Sequence, residues 1–181
     1  MGEGLMKFRN VLLALGAVTI ALIGGVTAGQ SSRSEAQGVT DVQTSLVENF
    51  AYPGADEIFT TYGVTLISGD GHIVFADCAT PAEGNIGLMK VRTTESVGQN
   101  GLVCFKVLGA TGQLKLKIPA VFEIRGDGLV SGAGHKAKAE LTTDAGQRTV
   151  VDVNPSGNTP VGVGAGPGNQ PTTLLQLDVV G

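Results

Sequence analysis

Downstream of residue 63 the chain alternates apolar and polar residues in short runs. Met89, Val91 and Thr93 alternate with Lys90, Arg92 and Thr94, and Leu114, Leu116 and Ile118 alternate with Gln113, Lys115 and Lys117. A period of two puts one set on the buried face of a strand and the other in water. The pattern predicts strands over 64–68, 72–78, 87–94, 102–108, 113–118, 136–142, 147–153 and 172–180, with 120–125 leading into a turn. Gly69-Asp70-Gly71 reads as a hairpin turn between the first two runs, and Thr143-Asp144-Ala145-Gly146 as the turn joining 136–142 to 147–153. Gly126-Asp127-Gly128 is a further turn, with flanks too different from the first to make a repeat. A Gly/Pro-rich stretch, 154–171, reads as a mobile surface loop. Before the strands, 53–62 reads as a short helix. Asp56 and Glu57 lie at its positive end and Gly63 is its left-handed stop. The expected fold class is all-β: an antiparallel β-sandwich or barrel of about eight strands with one short N-terminal helix.

A different pattern opens the chain. Lys7 and Arg9 precede an apolar run from residue 11 to 28, and Val26 and Ala28 suit a small-residue cleavage site. That is the layout of a secretory signal peptide. The competing reading is an uncleaved membrane anchor, but the run of about 18 residues is at the lower limit for a spanning helix and is broken by Gly16, Gly24 and Gly25. Cleavage is expected after Ala28, with Ala36 as the next choice. Residues 1–28 are thus read as a signal peptide, 29–45 as a polar flexible spacer, and 46–181 as a single domain. The expected location is extracellular, with cell-wall association as an option and membrane contact only through an uncleaved signal.

Composition agrees with β structure: Val, Thr, Leu and Ile carry the apolar content, Gly numbers 28 and Trp is absent. The formal charge of −4 argues against general nucleic-acid binding. The two cysteines, Cys78 and Cys104, read as a structural disulfide in an oxidising compartment. A thiol nucleophile or half a metal site is the weaker alternative, because no Cys-x-x-Cys occurs.

Tyr52-Pro53-Gly54-Ala55-Asp56, Gly69-Asp70-Gly71-His72-Ile73, Asp77-Cys78 and Cys104-Phe105 follow one another in an order that resembles a group of small secreted actinobacterial proteins. Thr111-Gly112 before Leu114-Lys115-Leu116, and Thr159-Pro160-Val161-Gly162, are similar too. The resemblance spans roughly residues 50 to 180. It implies export, a shared fold and a Cys78/Cys104 pair belonging to that fold, but no reaction. The polar Pro/Gly insert at 79–86 departs from the group, where an aromatic or aliphatic stretch follows the first Cys.

Candidate chemistry is sparse. Asp70 and His72, two apart on a strand, share a face and are the weak catalytic candidates, with Ser68 or Ser131 as the serine a triad would need. No Gly-x-Ser-x-Gly elbow presents one, and Gly-Asp-Gly is what a tight turn demands. His72, His135, Asp70 and Asp77 lack metal-ligand spacing, so no metal or cofactor is implied. The run 162–168 lacks the Lys-Ser/Thr ending of a phosphate loop. Arg125-Gly126-Asp127 spells an adhesion tripeptide on an expected exposed hairpin tip.

Charge segregation is the remaining feature. Lys90, Arg92, Lys106, Lys115 and Lys117 fall in one stretch with Glu95 as its single acid. On neighbouring strands they would form a basic face for an anionic polymer such as a cell-wall polyanion. The competing reading is a solvated face whose lysines discourage edge pairing. Absence of Trp disfavours a neutral-sugar binder. The leading reading is an exported, non-catalytic binding protein whose partner is such a polyanion or a surface protein. The alternatives are a small secreted hydrolase using Asp70 and His72, or a structural envelope component.

Overall fold

The computed structural model describes residues 50–181. The signal-peptide and spacer readings, and the first residues of the domain, lie outside the described residues.

The single α-helix among the described residues, α1 (Ala55–Tyr62), forms where the pattern predicts it. Asp56 and Glu57 occupy its first turn, and Gly63, at φ 68°, closes it by donating its N–H to Phe59 O at 2.8 Å. Ala55, Ile58 and Tyr62 pack on the core. Nine strands follow: β1 (Thr65–Gly69), β2 (Ile73–Ala76), β3 (Met89–Thr93), β4 (Leu102–Val107), β5 (Gly112–Arg125), β6 (Lys136–Thr143), β7 (Arg148–Val153), β8 (Asn158–Pro160) and β9 (Thr172–Val180). All pairings are antiparallel. The path β2-β4-β3-β5-β9-β6-β7 does not close, which makes the fold sandwich-like rather than a barrel.

β5 organises the molecule. The two expected segments 113–118 and 120–125 form one strand of 14 residues, bent where Ala120 takes φ 50° and the pairing with β9 shifts register. Its first half pairs with β1 and β9, and its second half with β3 and β8. Thr93 Oγ1 donates to Pro119 O at 2.5 Å, and Thr94 N–H to Ala120 O at 3.2 Å. These bonds satisfy the carbonyls that the bend would otherwise orphan. The strand therefore belongs to two layers, one with β1, β9, β6 and β7 and the other with β2, β4, β3 and β8. Leu66, Leu116 and Leu177 from the first and Ile73, Phe105 and Ile124 from the second meet in one cluster. Burying a side chain of that size stabilises by about 1.5–3 kcal/mol.

Two expectations need correction. Gly69-Asp70-Gly71 does not close a hairpin: β1 pairs with β5 and β2 with β4, so the segment carries the chain from one layer to the other. Leu66 and Ile73 are both apolar and both buried, but the strands that carry them find their hydrogen-bonding partners in different layers. The Gly/Pro stretch is also not a free loop. It contains β8, a 3-10 turn at Gly162–Ala165 and the buried Val161, whose N–H donates to Phe122 O at 2.9 Å. At Gly164 a Cβ would lie 2.0 Å from Phe122 O, so glycine there permits close backbone approach rather than mobility. The β6–β7 hairpin forms as expected.

Candidate functional site

Asp70 and His72 lie at the crossover between layers. Asp70 Oδ1 accepts the N–H of His72 at 3.0 Å and Oδ2 accepts the N–H of Gln113 at 2.9 Å. His72 Nδ1 donates to Thr111 O at 2.7 Å, while Asp70 Oδ2 stands 3.7 Å from the ring nitrogen. In a triad the carboxylate orients Nδ1 by a hydrogen bond. Here a carbonyl does so, and the carboxylate serves the backbone. Among the described residues no hydrogen bond joins His72 to a serine; Ser68 lies on β1 and Ser131 in the exposed loop after β5. The pair is a clasp between the crossover and the start of β5. Gly109 makes room for it, since a Cβ there would lie 2.8 Å from the imidazole ring.

The adhesion tripeptide is not displayed. Asp127 is 1% exposed, its Oδ1 accepting the N–H of His135 at 2.8 Å and its Oδ2 lying 2.6 Å from His135 Nδ1. A buried carboxylate must be paired and hydrogen-bonded, and that requirement turns the motif inward. Among the described residues, no group of three His, Cys, Asp or Glu side chains comes together as a metal site.

Cys78 and Cys104 form a disulfide with Cα atoms 5.3 Å apart. It ties the segment after β2 to β4, with Cys104 opposite Lys90. The five basic residues do not share one face. Lys115 and Lys117 are on the first half of β5, opposite Ser68 and Thr65 of β1. Lys90 and Arg92 are on β3, and Lys106 on β4. Leu114, Leu116 and Ile118 point into the same core as Met89 and Val91, so the two basic sets stand on the outer faces of different layers. The bend in β5 is the physical reason: it folds the sheet over between them.

On the second layer the set is completed by Arg125, which sequence reasoning had absorbed into the tripeptide. Register places Lys90 opposite both Cys104 and Arg125, and Arg92 opposite Glu123. Arg92 Nε lies 3.1 Å from Glu123 Oε1, and Lys106 Nζ lies 2.5 Å from Glu83 Oε1. Both acids answer a neighbouring base. Among the described residues Lys90 and Arg125 have no such partner, although both are half-buried. Like charges directly opposite on neighbouring strands are destabilising. Lys90, Arg92 and Arg125 line a cleft of about 250 Å³ together with Cys78, Gly87 and Leu129. A larger cleft of about 620 Å³ lies beside the β5 bend, but its charged residues, Glu95 and Asp144, are acids.

The signal that could have found Arg125 is alternation: Glu123 and Arg125 occupy the outward positions flanking the buried Ile124. No protein-family model matches the chain, and no curated protein matches it. Among the described residues no helix is long and apolar enough to cross a membrane.

Proposed function

We propose that the chain is an exported, non-catalytic β-sandwich protein that binds an anionic polymer, with a phosphate or carboxylate group of that polymer held in the cleft between Lys90, Arg92 and Arg125. The observation that carries this reading is the pair Lys90–Arg125, two half-buried cations side by side without a counter-charge among the described residues. A bound anion would remove their repulsion and gain charge-assisted hydrogen bonds, bidentate for the guanidinium. The disulfide fits the oxidising compartment that export implies. The resemblance to small secreted proteins supports the same location. Cell-wall polyanions are the natural ligands there. The hydrolase reading is left without a hydrogen bond from His72 to a hydroxyl among the described residues, the ring Nδ1 being engaged by the Thr111 carbonyl.

The test is co-sedimentation with purified bacterial cell walls over a salt series. Lys90→Ala and Arg125→Ala are each expected to weaken binding about tenfold, the worth of one hydrogen bond to a charged group, and salt is expected to weaken it further. Lys115→Glu/Lys117→Glu, on the other layer, serves as control and is expected to bind like wild type. Equal losses in the two sets would show a diffuse charge effect and sink the cleft; no binding at low salt would remove the polyanion altogether.

A further inference from the structure

Among the described residues β7 ends the sheet path and pairs only with β6. Edge strands of stable monomers are blunted by charged side chains, lysine above all, or by proline, a bulge or shortness; the charges on β7, Arg148 and Asp152, are of opposite sign. β2, at the opposite end, has four residues. β7 has six, reads Arg148-Thr149-Val150-Val151-Asp152-Val153, and pairs with β6 without a register shift.

Its hydrogen-bonding parity follows from the hairpin. Thr143 N–H donates to Gln147 O at 3.0 Å. Hydrogen-bonded and non-bonded pairs alternate along an antiparallel ladder. Thr149 and Val151, opposite Leu141 and Ala139, therefore turn their backbone groups toward β6. Arg148, Val150 and Asp152 turn theirs toward the open edge. The side chains of these same three residues share the outer face, where Val150 is 60% exposed.

We infer that this edge joins β7 of a second copy of the chain, antiparallel, with Val150 opposite Val150 on the twofold axis. In that register Arg148 of each copy faces Asp152 of the other, and all three pairs present backbone donors and acceptors to one another. The contact is isologous, as a twofold dimer requires. Moving the register either sets Arg148 against Arg148 or Asp152 against Asp152, or places a charge opposite Val150, so charge selects one alignment. The row it completes is already laid down within one copy. Asp178 of β9 is opposite Lys138 of β6, which is opposite Asp152 of β7, and Lys138 Nζ lies 2.6 Å from Asp152 Oδ1. Arg148 of the second copy continues that alternation of sign.

Analytical ultracentrifugation of the full-length chain over a concentration series tests this. Wild type is expected to show a concentration-dependent dimer. Val150→Pro removes an N–H that β6 does not use, so it is expected to leave the circular dichroism unchanged and the chain monomeric. Arg148→Asp or Asp152→Arg alone sets like charges together at two symmetry-related places and is expected to weaken dimerisation about tenfold. Within one copy Arg148 Nη1 lies 2.6 Å from Glu140 Oε1, so the complement is restored between copies. In a mixture of Arg148→Asp chains with Asp152→Arg chains both cross-copy pairs are of opposite sign, and the mixture is expected to dimerise about tenfold more tightly than either variant alone. Should Val150→Pro fail to fold, the charge exchange decides. A wild type monomeric at every concentration overturns the inference, as does a dimer indifferent to these substitutions.

Discussion

Asp127 and Asp70 stand in the same tripeptide, Gly-Asp-Gly, and are held differently. Asp127 is buried and accepts both the backbone and the ring of His135, whereas Asp70 is exposed and accepts two backbone N–H groups. The N–H of His72, two residues on from Asp70, is a local donor, but Gln113 and His135 are brought in by other segments, so the tripeptide alone does not write either role. Asp127→Ala leaves the N–H of the half-buried His135 unpaired and is expected to cost about 1–3 kcal/mol, read as a lower urea midpoint at unchanged slope. A receptor cannot reach a carboxylate in this position, so Asp127→Glu is expected to leave cell attachment equal to that of wild type. Equally, Arg125 was visible as a base, but its pairing with Lys90 was not: it depends on the register between β3 and β5, which a single strand does not specify.

Among the elements, β5 and the segment after β2 carry the consequences of tertiary packing. Pro119 reads as a break between two strands, since proline lacks the N–H a ladder uses, yet the chain continues through it. Ala120, at φ 50°, pays the steric cost of a left-handed residue with a side chain. Ala120→Gly is expected to stabilise by about 0.5–1 kcal/mol, the relieved strain exceeding the added unfolded-state entropy, as a raised thermal midpoint. In the segment after β2, the N–H of Ala79 and the side-chain amide of Gln99 hold the Asp77 carboxyl below its usual value, and Lys106 does the same for Glu83. A depressed carboxylate contributes stability above its unfolded value, and that contribution is lost as pH falls through the folded one. Amide protection factors across 77–86 are therefore expected to fall below about pH 4 while those of β5 persist. Equal loss in both places would show that these carboxylates do not tether the segment.

For the whole molecule, the disulfide closes a loop that holds β3 and binds its segment to β4. Cys78→Ala/Cys104→Ala is expected to cost about 3–4 kcal/mol by the loop-entropy estimate, measured by urea unfolding. The same variant releases one wall of the cation cleft, since Cys78 lines it beside Lys90, so wall binding is expected to weaken with stability. The strand spans were legible because a half-buried strand writes its two faces as a period of two, as at Met89–Thr93 and over 112–118. β8 was not legible: Asn158-Thr159-Pro160 has no alternating apolar face, and it pairs only because β5 passes alongside.

Sequence alone determined what depends on local chemistry. Alternation set which residues face the core, Gly63 stopped the helix, Thr143 to Gln147 closed the one hairpin correctly assigned, and two cysteines marked a disulfide. Tertiary structure decided what depends on partners far apart in the chain. It chose β5 over β2 as the neighbour of β1, turned Asp127 inward, and divided Lys115 and Lys117 from Lys90, Arg92 and Lys106. It also brought Arg125 to Lys90. The physical reason is common to all of these. Faces and turns are properties of a few consecutive residues, whereas strand neighbours are selected by burying all apolar faces in one core at once.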